Sequence, residues 1–302
     1  MVDLSFTMFG IKFKNPVFSA SGTSGYGLEL SPHIDLGKIG AIVTKGISAK
    51  PKRGNPQPRI IETPSGMLNS IGLQNIGARK FIDDVLGKLE DADTKVIVNV
   101  FGDAIDGYID VSRMFLNENR VDALEVNLSC PNVKEGGIAF GREPKLAAEV
   151  ISAVIDASKK PVIAKLTPNV TDIAPIARAV EEAGASAISV INTLVGMAID
   201  VENRRPYFKN VTAGLSGPAI KPVALRVVWE TAKAVDIPVI GIGGISTGRD
   251  ALEFIMAGAT AVQIGSANLI NPGIMSDVVD EINDFCRDNK ISDLNEIRGI
   301  II

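Results

Sequence analysis

Cys130 is the residue whose type and position are best suited to chemistry. It lies in Asn127-Leu128-Ser129-Cys130-Pro131-Asn132, just past a predicted buried strand and at the start of a long loop. A free cysteine is more often a small buried hydrophobe, which is how we read Cys286 on a predicted C-terminal helix. Between polar residues, however, a thiolate can serve as a nucleophile or a general base. The single histidine, His33, is predicted in a surface turn, so the pattern favours proton abstraction over Cys–His acyl transfer.

Polar residues also end most of the predicted strands. They are Ser21, Lys45, Asn99, Asn127, Lys165 and Asn192. The carboxyl ends of barrel strands meet at one face, so we expect these side chains to surround one mouth. Any one of them could merely cap a strand, but the recurrence over so many strands indicates a site.

Lysines and asparagines at that mouth indicate different ligand chemistry. Lys45 and Lys165 end buried strands, where an ammonium is costly unless an anion or an electron-rich acceptor pairs with it. Such a lysine could favour the anionic reduced form of a flavin. Amides offer both a donor and an acceptor, which complements a pyrimidine-like or imide ring. The amides in question are Asn69, Asn99, Asn127, Asn132 and Asn192.

Two glycine-containing turns indicate a phosphate site. Gly243-Gly244 follows the seventh predicted strand and Gly265-Ser266 follows the eighth. Barrels place their phosphate sites at these two strand ends, where backbone N–H groups are uncrowded by side chains. Either turn alone could be a tight turn, and the two together predict a bound phosphate.

The elements that must position these residues form a repeating strand and helix pattern. Continuously apolar runs, as expected of buried parallel strands, occur at residues 17–21, 41–45, 96–100, 123–127, 162–165, 187–191, 239–242 and 261–264. Helical patterns separate them, with Thr247 a predicted cap of one helix. The sequence therefore predicts an α/β fold, a single (β/α)8 TIM barrel over residues 1–302.

Additions to the minimal barrel are predicted at both ends. Residues 4–13 resemble a small hairpin closing the opposite end of the barrel. Inserted hairpins and loops on the carboxyl-terminal face are predicted at residues 51–75, 129–144 and 198–218. The first insertion should contain a hairpin that pairs residues 59–62 with 67–69. Loops of this size are usually functional.

Composition excludes several classes of function. The formal net charge of −4 argues against nucleic acid or an anionic membrane as the main partner. The two cysteines lie far apart without a C-x-x-C motif, so no metal or cluster ligand set is predicted. No apolar run reaches the length of a membrane span, and no signal peptide is apparent at the start. We therefore expect a cytoplasmic location.

The ordered set of motifs resembles the dihydroorotate dehydrogenase family over essentially the whole chain. The shared motifs are Asn69-Ser70-Ile71-Gly72-Leu73, Asn127-Leu128-Ser129-Cys130-Pro131-Asn132, Ala164-Lys165-Leu166, Ile191-Asn192-Thr193, Gly241-Ile242-Gly243-Gly244-Ile245 and Gln263-Ile264-Gly265-Ser266. Their order and spacing together are specific, whereas one glycine pair is not.

The resemblance implies a site for FMN and a site for dihydroorotate. The FMN residues would be Ser21, Lys45, Gly46, Asn99, Asn127, Lys165, Ile191, Gly217, Gly243, Gly244, Gly265 and Ser266. The substrate residues would be Lys45, Asn69, Ser70, Ile71, Gly72, Leu73, Asn127, Asn192 and Thr193. Cys130 would be the catalytic base that removes a proton from C5 while a hydride leaves C6, giving orotate.

The resemblance also bears on the electron acceptor. Cys130 differs from the serine of the membrane-associated class. Between the two cysteine classes, Gln74 and Leu215-Ser216-Gly217-Pro218-Ala219-Ile220-Lys221-Pro222 resemble the NAD-linked type B. That type implies a partner subunit carrying FAD and a 2Fe-2S cluster, in a heterotetramer built on a homodimer of this chain. The fumarate-reducing homodimeric type A is the alternative.

Two further alternatives stay open on the sequence. A non-catalytic barrel that binds a phosphate-bearing ligand would be colourless when purified. A dihydropyrimidine dehydrogenase-like subunit, with the same FMN barrel and lid cysteine, would oxidise dihydrouracil. No arginine stands out as a clamp for a substrate carboxylate, so backbone amides and Lys45 would have to serve.

Overall fold

The computed structural model describes residues 2–129 and 140–302. Its strands are β1 (Phe6–Met8), β2 (Ile11–Phe13), β3 (Val17–Ser19), β4 (Ala41–Val43), β5 (Ile60–Thr63), β6 (Gly66–Asn69), β7 (Lys95–Val100), β8 (Ala123–Asn127), β9 (Val162–Lys165), β10 (Ala187–Val190), β11 (Leu194–Met197), β12 (Ile199–Asp200), β13 (Arg205–Pro206), β14 (Thr212–Ser216), β15 (Val239–Ile242) and β16 (Ala261–Ile264). Its α-helices are α1 (Ala78–Asp84), α2 (Ile105–Arg113), α3 (Pro144–Ser158), α4 (Ala174–Glu182), α5 (Lys221–Ala234), α6 (Gly248–Met256), α7 (Ala267–Ile270) and α8 (Ile274–Asp288).

Eight parallel strands close into a barrel, as the sequence predicts. Their order around the barrel is β3-β4-β7-β8-β9-β10-β15-β16, with β16 pairing back to β3. Three strands end one or two residues earlier than expected, at Ser19, Val43 and Val190. The next residue of each still donates a backbone hydrogen bond to a neighbouring strand, from Ala20 to Ile264, from Thr44 to Ile97 and from Ile191 to Ile242. The prediction of a (β/α)8 TIM barrel is confirmed.

The barrel interior is filled by layers of four side chains from alternate strands. From the bottom upward the layers are Ala41, Ala123, Ala187 and Ala261; then Phe18, Ile97, Ile163 and Ile240; then Val43, Glu125, Ser189 and Gln263; then Ala20, Asn99, Lys165 and Ile242. The two lower layers are apolar. Polar side chains enter only in the third and fourth layers, so the interior changes character from the bottom to the mouth.

The N-terminal hairpin closes the bottom of the barrel. Strands β1 and β2 pair antiparallel, and the side chain of Phe13 in β2 is fully buried. It stacks on Phe6 and lies 5.1 Å from the Phe18 ring, centroid to centroid. The alanine layer leaves room for these rings at the bottom of the barrel. The hairpin predicted for residues 4–13 is therefore confirmed.

Helices cover the outside of the barrel with one apolar face each. In α4, Ile176, Ala177 and Val180 are buried at the predicted helical spacing. The Thr247 side chain caps α6 by accepting a hydrogen bond from the Asp250 N–H at 3.1 Å, as expected. Cys286 is fully buried on α8, which agrees with its reading as a core residue.

A second sheet stands over the carboxyl-terminal face. It has the order β11-β14-β6-β5 and is antiparallel throughout. The hairpin of β5 and β6 confirms the pairing predicted in the first insertion. That hairpin pairs with β14 from the later insertion, so Asn69 lies opposite Gly214. This sheet joins two loops that are far apart in sequence and holds them beside the barrel mouth.

Candidate active site

One cavity of about 540 Å³ lies at the carboxyl ends of the barrel strands. It brings together all the residues that the resemblance implies for FMN and dihydroorotate within the described part of the chain. They are Ser21, Lys45, Gly46, Asn69, Ser70, Ile71, Gly72, Leu73, Asn99, Asn127, Lys165, Ile191, Asn192, Thr193, Gly217, Gly243, Gly244, Gly265 and Ser266. Cys130, and with it Asn132, lies outside the described residues.

Glycines form one end of the cavity. Gly217, Gly243 and Gly244 have φ values of +100°, +130° and +74°, which favour glycine. A Cβ on Gly244 would lie 2.7 Å from Lys221 Cβ, so side chains are excluded there. Gly265 is different, because a Cβ on it would meet only ordinary contacts, with Ala20 at 3.5 Å. Its lack of a side chain leaves space for a ligand rather than for the protein.

A buried carboxylate lies beneath the cavity floor. Glu125 is fully buried in β8 and accepts four hydrogen bonds. The donors are Asn99 Nδ2 at 2.7 Å, Lys165 Nζ at 3.3 Å, Ser189 Oγ at 2.9 Å and Gln263 Nε2 at 2.7 Å. Lys165, itself 5% exposed, thus has the anion that a buried ammonium requires.

Linked amides form one wall. Asn192 Nδ2 donates to Asn127 Oδ1 at 3.2 Å and to Ser129 Oγ at 2.9 Å. The Ser129 N–H also donates to Asn127 Oδ1, at 3.1 Å. Because the Asn127 oxygen is engaged twice, its Nδ2 group is the part left to face the cavity. The wall therefore presents hydrogen-bond donors at Asn127.

Lys45 supplies a second positive group. Burial lowers the pKa of its ammonium, an effect that Arg59 adds to and that the Glu29 carboxylate opposes. Its Nζ lies 6.0 Å from the centre of the Tyr26 ring and makes no hydrogen bond to another described residue. A partly desolvated, unpaired cation at a cavity wall is suited to an anionic ligand.

The loop of residues 69–73 presents backbone donors. The N–H groups of Ile71, Gly72 and Leu73 have no acceptor among residues 2–129 and 140–302. Gly72 and Leu73 have φ values of +71° and +56°. Successive free N–H groups in such a turn suit a carboxylate or another anion.

That loop is held from behind by an asparagine and an arginine. Asn55 Nδ2 donates to the Ser70 backbone oxygen at 3.1 Å and to the Ser70 hydroxyl at 2.9 Å. Arg59 in turn donates to the Asn55 backbone oxygen and to Gln74 Oε1. The loop is therefore braced by polar contacts that do not use the N–H groups of residues 71–73.

Several residues of the site were missed by the sequence interpretation. Glu125 carried a signal, because a carboxylate inside a continuously apolar strand is unusual. Asn169 and Arg142 carried none, since both follow strands at a distance and resemble ordinary surface positions. Asn169 lines the cavity and accepts a hydrogen bond from the Val195 N–H at 3.0 Å, which fixes β11 to the barrel. Arg142 is an exposed cation at the cavity edge.

The described residues contain neither a metal-binding cluster nor a membrane-spanning helix. No group of three or more histidine, cysteine, aspartate or glutamate side chains there is arranged to hold a metal ion. No helix among these residues is long and apolar enough to span a bilayer. His33 is exposed in a turn, as predicted.

The family model that matches this chain and the similar proteins found for it carry the same enzyme name. The family model described as dihydroorotate dehydrogenase matches residues 3–286. A protein of Geotalea uraniireducens is 54% identical over 300 residues, covering 99% of this chain and 98% of its own length. A protein of Bacteroides thetaiotaomicron is 51% identical over 301 residues, covering 100% and 99%. Both are named dihydroorotate dehydrogenase B (NAD(+)), catalytic subunit.

The fold and the cavity define a (β/α)8 barrel with a ligand site at the carboxyl ends of its strands. Within that class, the chain belongs to the dihydroorotate dehydrogenase family.

Proposed function

We propose that this chain oxidises dihydroorotate to orotate with FMN as its cofactor, in the formation of pyrimidines. The observation that carries the proposal is the single cavity lined by the implied cofactor and substrate residues together. Relatives that match over nearly their whole length and are named for this activity support it. The domain responsible would be one FMN-binding barrel over residues 1–302.

The residues of the cavity fit FMN at both of its ends. Gly243, Gly244, Gly265 and Ser266 would hold the phosphate at the open glycine end, where a Cβ on Gly265 would fill ligand space. Lys165 and Asn99 would contact the polar edge of the ring system on the floor. When bound, FMN supplies the acceptor for the hydride that leaves C6 of dihydroorotate.

The substrate would be held between the amide wall and the braced loop. Asn127 Nδ2 offers donors to a ring carbonyl, and the free N–H groups of residues 71–73 with Lys45 offer partners to the carboxylate. Backbone N–H groups would thus bind the substrate carboxylate, for which no arginine stands out in the sequence. The proton on C5 would be taken by the Cys130 thiolate, a role that rests on the sequence motif alone.

Electrons would leave through a second protein. The relatives are named catalytic subunits of an NAD(+) enzyme, which supports a separate partner and NAD(+) as the acceptor. We propose that the partner carries FAD and a 2Fe-2S cluster, in a cytoplasmic heterotetramer built on a homodimer of this chain. Fumarate reduction by a homodimer is the competing acceptor route.

The test is anaerobic mixing of the purified, FMN-loaded chain with dihydroorotate. We expect the flavin absorbance to bleach and orotate to form in equal amount. Dyes should accept the electrons, whereas NAD(+) should not be reduced until the partner is added. A colourless protein that takes up no FMN would refute the proposal, and bleaching by dihydrouracil instead would favour the dihydropyrimidine dehydrogenase-like alternative.

The proposed base is tested with Cys130→Ser. General-base catalysis contributes roughly 10²–10⁴-fold, so flavin reduction by dihydroorotate should slow by about that factor at neutral pH. The rate should recover as pH rises, because the serine hydroxyl loses its proton only at high pH. Stopped-flow traces across pH measure both effects.

Cys286→Ala is the matched control for that variant. Cys286 is buried on α8 and does not line the cavity, so its removal should leave the reduction rate of the loaded protein unchanged. Equal rates in Cys130→Ser and the parent protein would remove Cys130 as the base.

A further inference from the structure

Glu125 occupies a position in the barrel at which a charged side chain is energetically costly. Its side chain is fully buried, with the isoleucine and phenylalanine layer below it and the cavity-lining layer above. Removing a carboxylate from water costs several kcal/mol unless surrounding groups compensate. An apolar side chain would fill such a layer without that cost, so the charge has a use that packing alone does not explain.

The two oxygens of this carboxylate contact different sets of residues. Oε1 accepts from Asn99 Nδ2 and Lys165 Nζ, and both of these residues line the cavity. Oε2 accepts from Ser189 and Gln263, neither of which lines it. The Oε2 contacts anchor Glu125 in its own layer, while the Oε1 contacts act on the layer that faces the ligand.

The Oε1 contact determines which way the Asn99 amide points. Because Nδ2 of Asn99 donates to the carboxylate, Oδ1 must lie on the opposite side of the amide. This oxygen is buried and has no hydrogen-bond partner within the described residues. Asn99 itself lines the cavity, and its Nδ2 is directed down to Glu125 in the layer below, so the other side of the amide is the side toward the cavity. A buried acceptor left unpaired is destabilising, and a ligand N–H that pairs with it removes that cost.

We propose that Glu125 is a positioning residue that sets the polarity of the cavity floor. It turns the Asn99 carbonyl toward the ligand and fixes the Lys165 ammonium beside it, so the floor presents one acceptor next to one cation. That pair complements a ring edge on which an imide N–H adjoins an electron-rich carbonyl or nitrogen. The pyrimidine portion of a flavin has such an edge, and in this respect the inference rests on the proposed cofactor.

The test compares Glu125→Gln with Ser189→Ala. Glutamine keeps the shape of the side chain but removes the charge that pairs with the Lys165 ammonium and replaces one of the two acceptor oxygens by an NH₂ group. The four donors around it can then no longer all be satisfied, and the Asn99 amide and the Lys165 ammonium are no longer held as a pair. Ser189→Ala removes one hydrogen bond from Oε2 and leaves the Oε1 contacts in place. Both variants disturb the same buried network, and only the first changes the floor.

Binding to the apoprotein is the first measurement. The probes are FMN and its N3-methyl derivative, which keeps the phosphate and rings but has no imide N–H to donate. In the parent protein and in Ser189→Ala we expect FMN to bind at least tenfold more tightly than the methylated probe. In Glu125→Gln we expect FMN itself to bind about tenfold more weakly and the preference over the methylated probe to shrink.

The reduction potential of bound FMN is the second measurement. Glu125→Gln removes a negative charge beside Lys165. The loss of that charge favours the anionic reduced flavin. We expect the potential to rise by about 30 mV, a tenfold change for a two-electron couple, with no rise in Ser189→Ala. A purely structural network would lower the stability of both variants without changing the potential of the flavin that remains bound.

The outcomes separate this inference from the proposed function. If the parent protein binds no FMN, the cofactor proposal fails and takes the inference with it. If the parent binds FMN but Glu125→Gln matches Ser189→Ala in both the probe preference and the potential, only the role of Glu125 is overturned.

Discussion

The sequence predicts what kind of partner a residue of the site needs, but not always which residue supplies it. Lys165 was expected to need a buried anion, and Glu125 is that anion, 3.3 Å away. The pairing itself could not be predicted, since the two residues are 40 positions apart and meet only when β8 and β9 are neighbours. Sequence identifies costly side chains, whereas the closed barrel decides which of them compensate each other.

Lys45 gives the pH prediction at this scale. The pKa of Lys45 is lowered, chiefly by burial, so the ammonium loses its proton at a lower pH than an ordinary lysine. An anionic ligand binds the protonated form. The affinity of the oxidised protein for orotate should therefore be constant below the pKa of Lys45 and fall as pH rises above it. Spectral titration of bound FMN with orotate measures this.

Two lysine variants isolate the effect. Lys45→Met should weaken orotate binding by roughly 10–100-fold, as expected for a charge-assisted hydrogen bond of about 1.5–3 kcal/mol, and should flatten the fall at high pH. Lys52→Met removes a nearby cation that pairs with Asp103 and does not line the cavity. It should leave the profile as it is, and an unchanged profile in Lys45→Met would contradict the assignment.

The strands of the barrel repeat were predictable from the sequence. The second sheet, which joins two insertions in that repeat, was not. Continuous apolar runs mark strands buried on both faces, which is why the sequence predicts all eight barrel strands to within two residues at each end. The sheet over the mouth depends on β6 pairing with β14, from insertions about 145 positions apart. Short strands without strong periodicity do not indicate their partners, so only the local hairpin of β5 and β6 could be predicted.

The turn after β16 provides a prediction for an element. Gly265→Ala adds a methyl group that meets no protein atom closer than 3.5 Å. The apoprotein should keep its stability or gain about 0.4–1 kcal/mol from the lower entropy of its unfolded chain. FMN binding should weaken at least tenfold, because the methyl group occupies ligand space. Thermal unfolding and FMN titration separate the two effects.

Gly87→Ala serves as the control for that substitution. A Cβ there also meets nothing within 4 Å, and Gly87 lies in a short helical turn away from the cavity. It should leave FMN binding unchanged and, for the same entropic reason, should keep the stability of the protein or raise it by about 0.4–1 kcal/mol. Parent-like FMN affinity in Gly265→Ala would argue against a phosphate at this turn.

At the scale of the whole molecule, the barrel separates stability from ligand binding along its axis. The lower two layers and the hairpin are apolar, and the upper two layers carry the polar contacts. This division followed from the sequence only in part. The hairpin at residues 4–13 was predicted, but the layers could be assigned only once the strand order and stagger were known.

Phe13→Ala tests that separation. Phe13 is fully buried and packs on Phe6 and Phe18, so its truncation should lower the free energy of unfolding by about 3–5 kcal/mol. The folded fraction should bind FMN with parent affinity, because Phe13 lies at the bottom of the barrel and does not line the cavity. Lys12→Ala on the same strand is exposed and should cost less than about 0.5 kcal/mol. A large loss of FMN affinity in folded Phe13→Ala would show that the two ends are coupled.

The filled lower half of the barrel also limits how small molecules enter and leave the cavity. With aromatic rings, alanines and isoleucines filling the barrel beneath Glu125, the described residues close the cavity at its base, and the opening that they leave lies at the mouth. Reactant and product must therefore pass through the same opening, one after the other. An incoming molecule has to wait for the previous one to leave, so accumulated product slows turnover by occupying the entrance route itself.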